Sequence, residues 1–152
     1  MSFEILTLDA RELAVKRGAS IAPYTTFGIG GPADVLAEVY TERALQKVVR
    51  EAIADGMRWL LIGGGSNLLV GDAGYRGLVI VNRIDHLVVS GARILAGAGA
   101  DLGEVVEGAR ARSLSGIEFA IDIPGTVGGA IRGNAGAFGK SEIGRASCRE
   151  RV

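Results

Sequence analysis

Glycine is the feature that most restricts what this chain can become. It fills 24 of the 152 positions, about 16% against a usual ~7%. The glycines cluster near residues 28–31, 63–65, 97–103, 125–129 and 133–139. A glycine reaches positive φ and lets another backbone or a ligand come close, but it weakens the interior of helices and strands. Such clusters therefore mark tight turns and close approaches between short regular elements. With only four Phe, three Tyr and one Trp, the core must be aliphatic.

Hydrophobic residues make up 48% and charged residues 22%, an ordinary globular mixture that argues against disorder. Seventeen basic residues balance seventeen acidic ones, so the field expected of a nucleic-acid or anionic-membrane binder is missing. A single cysteine, Cys148, and a single histidine, His86, leave no internal disulfide and no thiolate or imidazole metal cluster. The start, Met1-Ser2-Phe3-Glu4, has neither a basic nor an apolar leader segment. The longest uncharged run, 18–33, is interrupted by Pro23, Pro32 and glycines, so it cannot form an apolar span of ~20 residues. The expectation is a soluble, cytoplasmic protein.

Residues 1–22 are weakly patterned, and 25–32 read as a loop. Val35, Ala37 and Val39 alternate as one face of a strand over 33–40. Thr41 is an N-cap for a helix carried by Ala44, Leu45, Val48, Val49, Ala52 and Ile53, with Gly56 just past its end. Residues 58–62 form a short strand in which Trp59 is expected in the core, and 78–81 a buried strand. Residues 86–90 and 93–97 pair as a hairpin around Gly91. Asp101, with Glu104 three residues on, opens a second helix in a capping-box pattern. Strands and helices are intermixed and several strands look hairpin-linked, so the fold class is α+β rather than a doubly wound parallel sheet.

Four glycine segments are candidates for chemistry. In the first, a strand ends in Gly63, Gly64 and Gly65, followed by Ser66 and Asn67. Successive exposed N–H groups there can cradle phosphate oxygens, and we read it so ahead of a plain turn. No Lys-Ser/Thr pair follows, so it is not a Walker A loop. The second is Ile123-Pro124-Gly125-Thr126-Val127-Gly128-Gly129-Ala130. Its Thr126 can cap a helix whose N-terminus faces an anion, or its small residues can serve packing. The third, 97–103, imitates a dinucleotide fingerprint but carries Leu102 where the third glycine belongs. In the fourth, 133–139, Asn134 either donates to a phosphate or carbonyl or stabilises a turn. His86 reads as a surface or satisfied strand residue, and no G-x-S-x-G precedes any serine. Glu118 and Asp122 read as solvated charges.

Taken in order, Thr26-Phe27, Gly30-Gly31-Pro32-Ala33, residues 61–67, Gly116-Ile117-Glu118-Phe119, residues 123–130 and Asn134-Ala135-Gly136-Ala137-Phe138-Gly139 form a specific set. It resembles the N-terminal part of the bacterial UDP-N-acetylenolpyruvoylglucosamine reductases. The resemblance implies a two-lobed FAD-binding domain of the vanillyl-alcohol-oxidase (PCMH) type over 22–139, with a first lobe at 22–83 and a second, incomplete lobe from 84. It implies FAD as cofactor and NADPH as hydride donor. The substrate would be a UDP-sugar, and no nucleic acid, membrane or metal partner is implied. Carried over, Gly63, Gly64, Gly65, Ser66 and Asn67 would hold the FAD pyrophosphate. Ile123, Pro124, Gly125, Thr126, Gly128 and Gly129 would line the flavin and its phosphates, with Asn134, Ala135 and Gly136 nearby. The family's Tyr-Arg-x-Ser segment, its proton-donor Gly-Ser-x-Phe segment and its C-terminal glutamate are not in these 152 residues. The expectation is therefore a truncated second lobe, no substrate domain, no catalytic residues in this chain, and a non-native tail at 140–152. The alternatives are another FAD-dependent oxidase or dehydrogenase of the same fold, or a nucleotide-binding module without catalysis.

Overall fold

The computed structural model describes residues 8–137 and 139–142. The chain divides into two compact units, one ending at Ile84 and the other beginning at Asp85.

The first unit is built on a four-stranded sheet: β1 (Leu13–Ser20), β2 (Pro32–Val39), β3 (Trp59–Ile62) and β4 (Tyr75–Asn82), in the spatial order β1-β2-β4-β3. β1 runs antiparallel to β2, whereas β2 and β3 both run parallel to β4. The sheet is thus mixed, with its parallel part joined by longer connections rather than hairpins. Helix α1 (Glu42–Ala54) lies between β2 and β3 in sequence and starts where Thr41 accepts a hydrogen bond from the Ala44 N–H at 3.2 Å. Its buried Ala44, Val48 and Ala52 pack on Val35, Ala37, Val39, Leu78 and Ile80 of the sheet. The i, i+4, i+8 spacing of small residues lets the helix sit close to the strands. The opposite face buries Ile21, Leu36, Ile62, Val79 and Val81 under Tyr24, Leu68, Val70 and Tyr75. β4 is covered on both faces, which explains its unbroken buried run from Leu78 to Asn82.

Two sequence expectations need correction here. Residues 13–20, read as weakly patterned, form a full edge strand with partners from Leu13↔Val39 to Ser20↔Pro32. Trp59 is not a core residue: it is 39% exposed, at the start of the other edge strand, β3. An edge position has a sheet neighbour on one side only, so apolar content alone does not bury it.

The second unit contains a hairpin of β5 (Leu87–Ser90) and β6 (Arg93–Ala96), helix α2 (Leu102–Arg110), helix α3 (Val127–Gly133) and the short pair β7 (Gly136–Ala137) and β8 (Lys140–Ser141). Asp101 caps α2 by accepting from the Glu104 N–H at 3.1 Å. Leu102, Val106, Phe119, Ala120 and Ala130 form its core. Of the tail expected at 140–152, Lys140 and Ser141 pair with β7, and the Glu142 N–H donates to the Ala135 carbonyl at 3.1 Å. Residues 143–152, including Cys148, lie outside the described residues.

Candidate functional site

The 63–67 loop leaves the end of β3 and docks on the 24–26 turn of the same unit. The Thr26 N–H donates to the Gly65 carbonyl at 3.2 Å. Gly65 has φ +66°, and a Cβ there would overlap the Tyr24 carbonyl oxygen and stand 2.9 Å from Thr25 Cα. The third glycine of the cluster is thus demanded by backbone meeting backbone. Gly63 and Gly64 remain to line a cleft of about 110 Å³ together with Pro23, Tyr24, Thr25, Thr26 and Arg83. Thr25 is part of the wall rather than a free donor, because its hydroxyl donates to the Ile29 carbonyl at 2.9 Å and the Ala22 carbonyl at 3.2 Å.

Beside this cleft is a charged cluster that the sequence reading missed. Glu38 is only 9% exposed and lies on the Leu36 face of β2. Its Oε1 accepts from the Tyr24 hydroxyl at 2.8 Å and from Lys16 Nζ at 3.0 Å. Arg83 Nε stands 3.6 Å from Oε2. Lys16 also donates to the Tyr24 hydroxyl at 3.0 Å. Burial alone would push the Glu38 carboxyl up, but the hydrogen bonds from Lys16 and Tyr24, with the charges of Lys16 and Arg83, outweigh it. Glu38 is held below its ordinary value. The bonds to Tyr24 and Glu38 hold the Lys16 ammonium above its own ordinary value. One sequence signal could have found the cluster. The alternation of Val35, Ala37 and Val39 puts Leu36 and Glu38 on the other face, and a carboxylate sharing a buried face needs partners.

In the second unit, Pro124 and Gly125 form a turn, and Thr126 caps α3 by accepting from the Gly129 N–H at 3.4 Å. The first donors of α3 already have protein acceptors. The Val127 N–H reaches the Ala100 carbonyl and the Gly128 N–H the Ala98 carbonyl, both at 2.9 Å. The orphan donors that would attract an anion to a helix start are therefore engaged by the 98–101 segment. A Cβ on Gly128 would lie 2.9 Å from both Ala98 Cβ and Ala98 O, so packing requires this glycine. Ile123 and Pro124 line a separate cleft of about 370 Å³ with Asp101, Glu107 and Asp122. Asn134 closes α3 in the left-handed conformation, φ 46° and ψ 50°, and its N–H donates to the Ala130 and Ile131 carbonyls. That is its turn-forming role. The 97–103 segment follows β6, which pairs antiparallel with β5, so no parallel β-α-β unit surrounds it among the described residues.

The remaining candidates are peripheral. His86 is exposed, and its carbonyl accepts from the Gly97 N–H at 2.8 Å. Glu118 is more than a solvated charge, since both its carboxylate oxygens accept from the Gly116 N–H at 2.9 Å. Asp122 has φ 60°. Among the described residues, no group of three or more His, Cys, Asp or Glu is placed to hold a metal ion. No helix there is long and apolar enough to cross a membrane.

The pattern of the FAD binding domain family matches residues 33–148. The chain is 46% identical over 129 residues to the UDP-N-acetylenolpyruvoylglucosamine reductase of Solibacter usitatus, covering 85% of this chain and 41% of that protein. It is 42% identical over 140 residues to the enzyme of the same name from Limosilactobacillus fermentum, covering 91% and 47%. The crystal structure of UDP-N-acetylenolpyruvylglucosamine reductase from Thermus caldophilus superposes with a TM-score of 0.70 at 35% identity, over 85% of this chain and 45% of that one. Aclacinomycin oxidoreductase shares the fold at a TM-score of 0.63 and 18% identity. The chain thus spans less than half the length of the curated relatives it matches.

Proposed function

Because the chain belongs to the FAD binding domain family, we propose that it is the FAD-holding part of a UDP-N-acetylenolpyruvoylglucosamine reductase. The observation that carries this reading is the 63–67 loop. Its third glycine is fixed against the Tyr24–Thr25 backbone, while Gly63 and Gly64 line an open cleft without side chains. Such a wall lets a diphosphate approach main-chain donors closely. The chemistry fits FAD, whose central diphosphate needs a cradle of this kind.

In this reading Gly63, Gly64, Gly65, Ser66 and Asn67 position the diphosphate. Ile123, Pro124, Gly125, Thr126, Gly128, Gly129, Asn134, Ala135 and Gly136 line the rest of the cofactor. The engaged donors of α3 speak against an anion anchored at its start, and Gly128, packed on Ala98, would serve this wall by letting α3 sit close against the 98–101 segment. When bound, FAD would take a hydride from NADPH and deliver it to the enolpyruvyl double bond of the UDP-sugar, giving UDP-N-acetylmuramate. The side chains that hold the substrate and donate the proton would come from outside these 152 residues, so this stretch alone binds cofactor without turning over. Substrate, reductant and product are water-soluble, which suits the cytoplasm.

The test is to reconstitute the purified chain with FAD, remove free cofactor and record the visible spectrum. Bands near roughly 375 and 450 nm, from general flavin chemistry, are expected in stoichiometric amount. A colourless protein that nonetheless retains its folded circular dichroism would refute the reading.

A further inference from the structure

We infer that Arg83, anchored by Glu38 and Tyr24, is the cation that neutralises a diphosphate bound at Gly63 and Gly64. The inference rests on the diphosphate reading of that cleft and adds a charged residue to it.

The main-chain donors of a glycine loop carry only partial charge, and a diphosphate brought partly out of water needs a countercharge. Arg83 lines the same cleft as Gly63, Gly64 and Thr26. Its main chain is fixed at the end of β4, where its N–H donates to the Val39 carbonyl at 2.8 Å. Its guanidinium is steered from two sides. Nε faces Glu38 Oε2 at 3.6 Å, and the group lies over the Tyr24 ring at 5.8 Å from the centroid. The side chain is still 44% exposed, so a ligand in the cleft can reach it.

Charge bookkeeping supports the same assignment. Two cations, Lys16 and Arg83, share the single carboxylate of Glu38, which leaves the cluster one net positive charge. Lys16 is committed to Glu38 and to the Tyr24 hydroxyl, both at 3.0 Å. Arg83 holds the longer contact and lines the cleft, so the surplus charge is presented there. A planar guanidinium also suits phosphate oxygens, with several donors in a fixed fork. A guanidinium held in place beforehand gives up less freedom on binding than a mobile one.

The experiment titrates FAD into the chain by calorimetry at 50 and 300 mM salt, for wild type, Arg83→Gln and Arg83→Lys (salt values roughly bracket physiological screening). Circular dichroism checks that each is folded. Arg83→Gln is expected to weaken binding roughly 10- to 100-fold at low salt and to flatten the salt dependence. Arg83→Lys keeps the charge but not the fork and should recover only part of the loss. Independently, FAD or ADP should protect Arg83 of the wild-type chain from modification by phenylglyoxal, read by mass spectrometry. This arm decides the matter even if Arg83→Gln does not fold. Binding by Arg83→Gln within about two-fold of wild type, or no protection of Arg83 by a saturating ligand, overturns the inference and leaves the diphosphate reading standing. A folded wild-type chain that binds neither FAD nor ADP overturns both.

Discussion

Replacing Gly65 by alanine should cost far more than one methyl group usually does, and the structure says why. The new Cβ would overlap the Tyr24 carbonyl oxygen and sit 2.9 Å from Thr25 Cα, and the residue would have to hold φ +66°. The left-handed conformation costs a residue with a Cβ ~1–2 kcal/mol. Forcing an atom into a filled space costs ~1–3 kcal/mol more. Separating the loops also breaks the 3.2 Å bond from the Thr26 N–H to the Gly65 carbonyl, worth ~0.5–1.5 kcal/mol. Together these give roughly 3–6 kcal/mol, and even the low end lowers Tm by ~6–12 °C for a chain of this size. Gly71→Ala is the control, because a Cβ at Gly71 meets nothing within 4 Å and needs no positive φ. Thermal and urea unfolding followed by circular dichroism measure both. If Gly65→Ala unfolds within ~0.5 kcal/mol of Gly71→Ala, the docking of the 63–67 loop on the 24–26 turn is not as described.

Gly128→Ala should destabilise the second unit by ~1–3 kcal/mol, because its Cβ meets Ala98 at 2.9 Å. Ala98→Gly should relieve part of that cost in the double variant, as measured by urea unfolding. Glu38 is held below its ordinary value. Its contribution is therefore fully present above the unfolded value of about 4.3 and is lost as pH falls through the folded value. Urea midpoints measured from roughly pH 7 to 3 should fall steeply at the acid end in wild type and less steeply in Glu38→Gln. His86→Asn, placed in a full-length reductase containing this segment, should keep turnover within a few-fold. A folded, flavin-loaded variant slowed by the ~10²-fold expected of a lost general acid or base would contradict the exposed, non-catalytic position given to His86.

Local signals in the sequence made several elements legible. Thr41 and Asp101 cap α1 and α2 as their side chains suggest, β2 follows its alternation, and the β5–β6 hairpin turns at Gly91, φ 56°. These features depend on neighbours within a few residues. β1 was not legible, because Lys16, Arg17 and Gly18 interrupt any apolar alternation and its pairing comes from the β2 backbone. Trp59 misled because hydrophobicity does not reveal an edge position. The glycine clusters were visible, but not which glycine did what. Gly65 and Gly128 turn out to be required by neighbouring backbone and Ala98, whereas Gly63 and Gly64 line the cleft. The Lys16–Tyr24–Glu38–Arg83 cluster draws on four separate segments of the chain. No spacing rule joins such distant residues, and Glu38, a carboxylate within the buried 35–39 stretch of β2, was the one available clue.

The most direct test of a diphosphate cradle at the 63–67 loop is to titrate FAD into the ¹⁵N-labelled chain and follow backbone amides by NMR. ADP, which carries the diphosphate without the flavin, serves as the second ligand. The amides of Gly63, Gly64, Gly65 and Thr26 should shift with both ligands and saturate together. Saturable FAD binding that leaves these four amides unmoved while others shift would contradict the assignment of the cofactor diphosphate to this loop.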